Sequence, residues 1–185
     1  MSAYAICDSA GNVTGLVTAP EAPTAPAGGS VLAIAALPAA GKWVVSGGVL
    51  AAYTPTLSDT QAAKAGDAIA CYAGLISAGF AYSGVLYQID SDSRANIAAM
   101  GIMALGSITD PAGSPWPGGF YWIAADNSHV AMDAPTLYAF GRAVAAYVSA
   151  CVLTLRAIKD AIAAATDQAT LDAIDVAAGY PTASA

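Results

Sequence analysis

Charge is what this sequence lacks most. Six basic and thirteen acidic residues make up 10% of 185 positions, against about 25% in an ordinary soluble domain. The outside must therefore be covered largely by Ala, Gly, Ser, Thr and Tyr, a surface suited to contact with other protein. The net charge of −7 and a pI near 4.2 exclude a nucleic-acid partner, because phosphate binding needs clustered cations. The six available are Lys42, Lys64, Arg94, Arg142, Arg156 and Lys159, and only Arg156 with Lys159 forms even a small patch.

Cysteine is scarce as well. Cys7, Cys71 and Cys151 lie far apart with no CxxC spacing, which disfavours zinc and leaves at least one thiol unpaired within the chain. They read as small packed hydrophobes, with a disulfide between subunits as the alternative. Long unbroken apolar runs are missing too, despite a mean hydropathy of +0.57. The run from Val31 to Ala52 is interrupted by Pro38, Gly41, Lys42, Gly47 and Gly48, and that from Leu137 to Leu155 carries Arg142 and ends at Arg156. Neither reads as a membrane span. Asp8 and Asn12 break up the N-terminal segment, so no secretory signal is expected and synthesis is expected in the cytoplasm.

Catalytic side chains are equally sparse, and no catalytic, cofactor-binding or metal-binding residue is assigned. The single histidine, His129, falls in a turn-like stretch, and no GxSxG elbow accompanies it. Asp90 and Asp92 resemble the start of a calcium loop, but the Gly required for its turn is absent and Arg94 takes an early ligand position. Glu21 is the only glutamate and lies among prolines, far from the apolar pocket that a glycosidic acid requires. Gly47-Gly48 and Gly118-Gly119 lack the Lys-Ser/Thr of a phosphate loop. The aspartates cluster instead where helices should begin.

What is present divides near residue 57. Residues 1–56 read as a β-rich docking module: Tyr4–Cys7 and Val13–Val17 flank a turn, Val31–Leu37 is a third strand, and Trp43–Val45 with Val49–Tyr53 flank Ser46-Gly47-Gly48. Pro20, Pro23 and Pro26 mark an exposed arm between them. Residues 57–185 read as a mainly helical domain. A helix capped by Ser58 or Asp59 runs to about Ser77 and stops at Gly79. Phe80–Ile89 is β-like around Gly84. Asp90-Ser91-Asp92 start a second helix carrying Ile97, Met100, Met103 and Leu105, closed by Gly106. After a Pro/Gly-rich loop, Phe120–Ala124 and His129–Met132 form a hairpin. Asp133 and Pro135 then start the longest helix, running to Ala165. A short helix capped by Thr166 or Asp167 follows, and the tail past Pro181 is expected to fray. The fold class is α+β, with small hairpins and one long amphipathic helix.

The apolar positions of that helix are Leu137, Phe140, Val144, Val148, Cys151, Leu155, Ile158 and Ile162. Their alternating steps of three and four put one stripe on one face. Such a stripe serves either a bundle core or a seam between subunits. The aromatics Trp116, Phe120, Tyr121 and Trp122 likewise serve a core, an interface or a glycan contact.

The stretch Leu86-Tyr87-Gln88-Ile89-Asp90-Ser91-Asp92-Ser93-Arg94-Ala95-Asn96-Ile97 resembles a domain of uncharacterised function recurrent in tail, tail-fibre and baseplate-associated proteins of tailed bacteriophages. Trp122, Asp126-Asn127 with Val130, Leu137–Tyr147, Leu155–Lys159 and Thr166–Ile174 follow in the same order, so the likeness covers about residues 57–175. The hairpin with Trp43 and Gly47-Gly48 is similar to the β element often placed before such a domain. This chain is richer in Ala and poorer in Glu and Lys than the family pattern.

The resemblance implies a structural virion component acting through protein–protein assembly and needing no cofactor, not an enzyme. The expected partners are other tail or baseplate proteins and further copies of the chain, a trimer being favoured. The candidate interface comprises Trp43, Trp116, Phe120, Tyr121, Trp122, Leu137, Phe140, Val144, Val148 and Leu155. Two alternatives stand beside it: a tail-fibre assembly chaperone absent from the finished particle, and a recognition module for host surface glycan at a fibre tip.

Overall fold

The computed structural model describes residues 1–185. The chain forms two compact units, Met1–Thr56 and Leu57–Ala185, and its class is α+β.

The first unit is built from hairpins. Strands β1 (Ser2–Cys7), β2 (Val13–Ala19) and β3 (Ser30–Ile34) form an antiparallel sheet in the order β2-β1-β3. The central strand carries the buried Ala3, Tyr4, Ala5 and Cys7. The β1–β2 turn is held by the Asp8 carboxylate, which accepts from the backbone N–H of Ala10 and Asn12, each at 2.9 Å. These bonds and the Asn12 side chain hold the Asp8 carboxyl below its ordinary pKa. Strands β4 (Trp43–Ser46) and β5 (Val49–Ala52) pair across the two-residue turn Gly47-Gly48, where both φ angles are positive. The Val45 N–H donates to the Gly11 carbonyl at 2.9 Å and ties this second hairpin to the first. Strand β3 ends at Ile34, three residues short of the Leu37 expected from composition.

The second unit is organised on one helix. Helices α1 (Leu57–Ala78) and α2 (Ser91–Thr109) both pack on α3 (Ala134–Ala164), and a one-turn α4 (Gln168–Asp172) follows. Hairpin β6 (Phe80–Tyr82)/β7 (Val85–Tyr87) joins α1 to α2, and hairpin β8 (Tyr121–Ile123)/β9 (His129–Ala131) leads into α3. The Ala125 N–H donates to the Leu86 carbonyl at 2.9 Å, joining the two hairpins.

Helix starts are set locally. Asp90, Asp133 and Asp167 each accept a hydrogen bond from the backbone N–H three residues on, at Ser93, Thr136 and Thr170. An aspartate there satisfies a donor that the helix leaves unpaired and complements its positive end. The bonds lower the pKa of all three carboxyls. At α1, by contrast, Ser58 and Asp59 lie inside the helix rather than at its cap, because the helix already begins at Leu57. Gly79 stops α1 with φ +88°. A Cβ there would also stand 2.6 Å from the Tyr87 carbonyl oxygen, so only glycine fits.

Two expectations about helix ends are corrected. Gly106 does not close α2. The helix continues to Thr109, and the Asp110 N–H bonds the Gly106 carbonyl. Nor does the tail fray: the N–H groups of Ala81, Ser83 and Ala185 donate to Ala183, Ala185 and Ala81, and Ser184 forms an isolated parallel bridge with Ala81 of β6. An unpaired edge of β6 supplies the backbone partners that local sequence could not reveal.

Candidate functional site

The long-helix stripe is spent inside the chain. Leu137 and Phe140 are fully buried and Val144 is 3% exposed, in a core shared with Phe80, Tyr87, Ile89, Ile97 and Cys151. Leu137 and Phe140, named as interface candidates, thus have their side chains covered within the second unit, while Val144 also lines an open groove between α2 and α3. Leu155 packs on a second cluster formed by Ala68, Ile158, Ile162, Ala165 and Leu171. Gln61 reinforces this end: its Nε2 donates to the carbonyls of Ile162 (2.9 Å) and Ala165 (3.0 Å). Lys64 Nζ donates to the carbonyls of Leu171 (2.6 Å) and Asp172 (3.1 Å), a cation at the negative end of α4.

Most of the aromatic group is also structural. Trp116 Nε1 donates to the Met132 carbonyl at 3.0 Å. Its ring meets Phe120 edge-on at 4.8 Å, Phe120 lies 6.4 Å from Trp122, and Trp122 lies 6.2 Å from Phe140. The series continues to Tyr87, 4.7 Å from Phe140. Trp116, Phe120 and Trp122 are thus half-buried members of the core margin. Tyr121 alone points outward, 47% exposed and stacked on His129 at 4.0 Å. Trp43 belongs to the first unit, where its Nε1 donates to the Ala39 carbonyl at 3.1 Å.

Cys7 and Cys151 are buried and unbonded, which withdraws both from any disulfide between subunits. Cys71 is half-buried and free. Burial raises the Cys151 pKa, so its thiol is a packed group rather than a nucleophile. Beside it the Tyr147 hydroxyl is buried with no hydrogen-bond partner, the weakly accepting thiol not counting as one. Burial, with the thiol second, pushes the Tyr147 pKa up to about 12. No cluster of three or more His, Cys, Asp or Glu could hold a metal ion. Helix α3 is long and apolar enough to cross a membrane by length and composition, yet its stripe packs in the core of the second unit.

Two of the open surfaces of the second unit are apolar or aromatic. The first is a groove of about 540 Å³ between α2 and α3, with Ile97, Val144 and Val148 in its lining and Ile102 and Leu105 on its α2 side. Ile102 is 74% exposed, and Met103, Leu105 and Ile108 also face solvent. Arg94 and Arg142 flank this groove without an ion pair, in contrast to Arg156, which pairs with Asp160 at 2.8 Å. The spacing of Asp90 and Arg94 suggests a helical ion pair, but the Asp90 carboxylate is occupied as a cap. The second surface is a cleft of about 550 Å³ between the start of α2 and β8, lined by Gln88, Asn96, Asn127, Tyr121 and Trp122 among others. Sequence reasoning named Phe120, Tyr121 and Trp122 of the cleft and Val144 and Val148 of the groove, and missed the residues of α2 and the carboxamides that complete them. The exposed Ile102 and Met103 carried a weak signal, since they fall off the Ile97–Met100 side of their helix.

Compared with known proteins, the chain has no match among curated sequences or solved structures. A family model described as "Domain of unknown function (DUF4376)" matches residues 59–178, a span lying wholly within the second unit. With its three capped helices, two hairpins and open α2–α3 groove, the larger part of this chain therefore belongs to the DUF4376 family.

Proposed function

We propose that this protein is a structural component of a bacteriophage tail, a fibre or baseplate adaptor that acts by protein–protein assembly. The observation that carries the reading is the α2–α3 groove with its uncovered apolar rim, Ile102 and Leu105, in a chain with little charge elsewhere. A contiguous apolar surface on a soluble unit marks a contact site. Two parallel ridges with a trough between them suit a helix or edge from a neighbouring subunit. The resemblance of Leu86–Ile97 and the later segments to tail proteins supports the same setting.

Assembly then has a simple mechanism. The neighbour buries the groove, and Arg94 and Arg142 gain carboxylate partners that this chain does not supply. A further copy of the chain, a trimer being favoured, would meet through this outer face, where Val144 and Val148 line the groove, since Leu137, Phe140 and Cys151 of the α3 stripe are occupied internally. The β unit and its Pro-rich arm would dock onto a second tail protein. The chain would be made in the bacterial cytoplasm and end in the virion.

Mass spectrometry of purified particles tests the reading: the chain should be present in stoichiometric amount. Its presence during infection but absence from finished particles would instead indicate an assembly chaperone. Light scattering at micromolar concentration should give a multiple of the 18.2 kDa chain mass, and a thermally robust monomer would count against self-assembly.

A further inference from the structure

The chain has six carboxamide side chains. Three are tied down: Asn12 donates to Asp8, Gln61 to the end of α3, and Gln168 to Asp172. The other three, Gln88, Asn96 and Asn127, make no side-chain hydrogen bond, and all three line the same cleft of about 550 Å³. They come from three separate elements: the segment after β7, the second turn of α2, and the β8–β9 turn. Asn127 sits in the β8–β9 turn with φ +67°, a left-handed conformation that asparagine adopts more readily than other non-glycine residues.

From the geometry we infer that this cleft is a binding site for a neutral saccharide. Each carboxamide offers a carbonyl acceptor and two N–H donors in one plane, which matches the paired hydroxyls of a sugar ring. Phe120 and Trp122, whose rings lie 6.4 Å apart, both line the cleft and supply aromatic surface for the apolar C–H face of the same ring. No charged side chain lines the cleft, so an anionic or cationic ligand gains nothing there. The volume falls within the ordinary range for small-ligand clefts, about 300–1,000 Å³. This inference is independent of the assembly reading, because it uses a different surface of the second unit.

The test uses the full chain with glucose, galactose, mannose, N-acetylglucosamine and lactose as probes, and adenosine and uridine as controls. Binding is read by saturation-transfer NMR and by tryptophan emission. At least one sugar should bind saturably in the millimolar range or tighter. Gln88→Ala, Asn96→Ala and Asn127→Gly, the last preserving the positive φ, should each weaken it by about tenfold, the loss expected for one hydrogen-bonding partner. Ile102→Ala, in the other groove, should leave it unchanged, and thermal melts should show all four variants folded. The inference is overturned if no sugar binds, if only the nucleosides bind, or if the three amide variants retain full affinity.

Discussion

Gly141 is where α3 receives Ile97 of α2: a Cβ built at Gly141 would stand 3.4 Å from Ile97 Cγ2. The absent side chain leaves Ile97 in direct reach of the α3 backbone beside the groove that Arg94 and Arg142 flank, with room for a methyl group and no more. Gly141→Leu should force the two helices apart and cost about 1–3 kcal/mol of stability, as inserting bulk into a packed contact does. Urea denaturation gives the magnitude, and an unchanged midpoint would show that the crossing is not tight.

The burial of the α3 stripe distinguishes two leucines on one helix. Leu137→Ala should destabilise the second unit by about 2–5 kcal/mol through lost burial and a residual cavity. Leu153, 68% exposed, should tolerate the same change within about 0.5 kcal/mol. Both can be measured by denaturation at a concentration where the chain is monomeric. Equal effects would mean that Leu137 is not in the core.

Trp116 is held by its indole N–H as well as by packing. Trp116→Phe keeps an aromatic ring against Phe120 but leaves the Met132 carbonyl without that donor, a loss of about 1 kcal/mol. Iodide should quench Tyr121-side emission from Trp122 only in part, since that ring is also half-buried. Complete quenching of both Trp116 and Trp122 would contradict their placement at the core margin.

Alkaline pH should act through Tyr147. Its pKa is raised by burial to about 12, above the ordinary value near 10, so folding favours the protonated phenol. The associated stability is fully present below pH 10 and is lost as pH rises from 10 towards 12. Tyr147→Phe removes this loss along with a buried hydroxyl that has no partner. It should be neutral or stabilising at pH 7 and should flatten the stability curve between pH 10 and 12, as thermal melts across that range would show.

Acid should act in the opposite sense through the helix caps. Asp90, Asp133 and Asp167 have pKa values lowered chiefly by hydrogen bonds from Ser93, Thr136 and Thr170. Their contribution is present above the unfolded value of 3.8 and disappears as pH falls through the depressed folded values. Asp133→Ala should lower the melting temperature at pH 7 and reduce its dependence on pH below 4. Asp133→Asn, an equally good cap, should retain most of the stability at pH 7.

Much of the second unit was legible because its signals are local. Asp90, Asp133 and Asp167 bond donors three residues away, and Gly79 needs only its own positive φ and the adjacent hairpin to stop α1. The Leu137–Ile162 period was legible as a stripe, but its partner was not, since a spacing of three and four is the same whether the opposing face belongs to β7, α2 or a second subunit. The fate of the C-terminal tail was illegible for a related reason: Ala183 to Ala185 pair with Ala81, about a hundred positions earlier, and nothing in either segment names the other.

The sequence by itself determined that charge is scarce, where α2, α3 and α4 begin, that the class is α+β, and that the family motif runs through the second unit. These rest on composition and on bonds between near neighbours in the chain. Only the tertiary structure decided which apolar groups are consumed and which stay open, Leu137 inside and Ile102 outside. It also brought Gln88, Asn96 and Asn127 to one cleft while leaving each without an internal partner. Burial and convergence depend on what lies across from a residue, and that is a property of packing between distant segments rather than of their order.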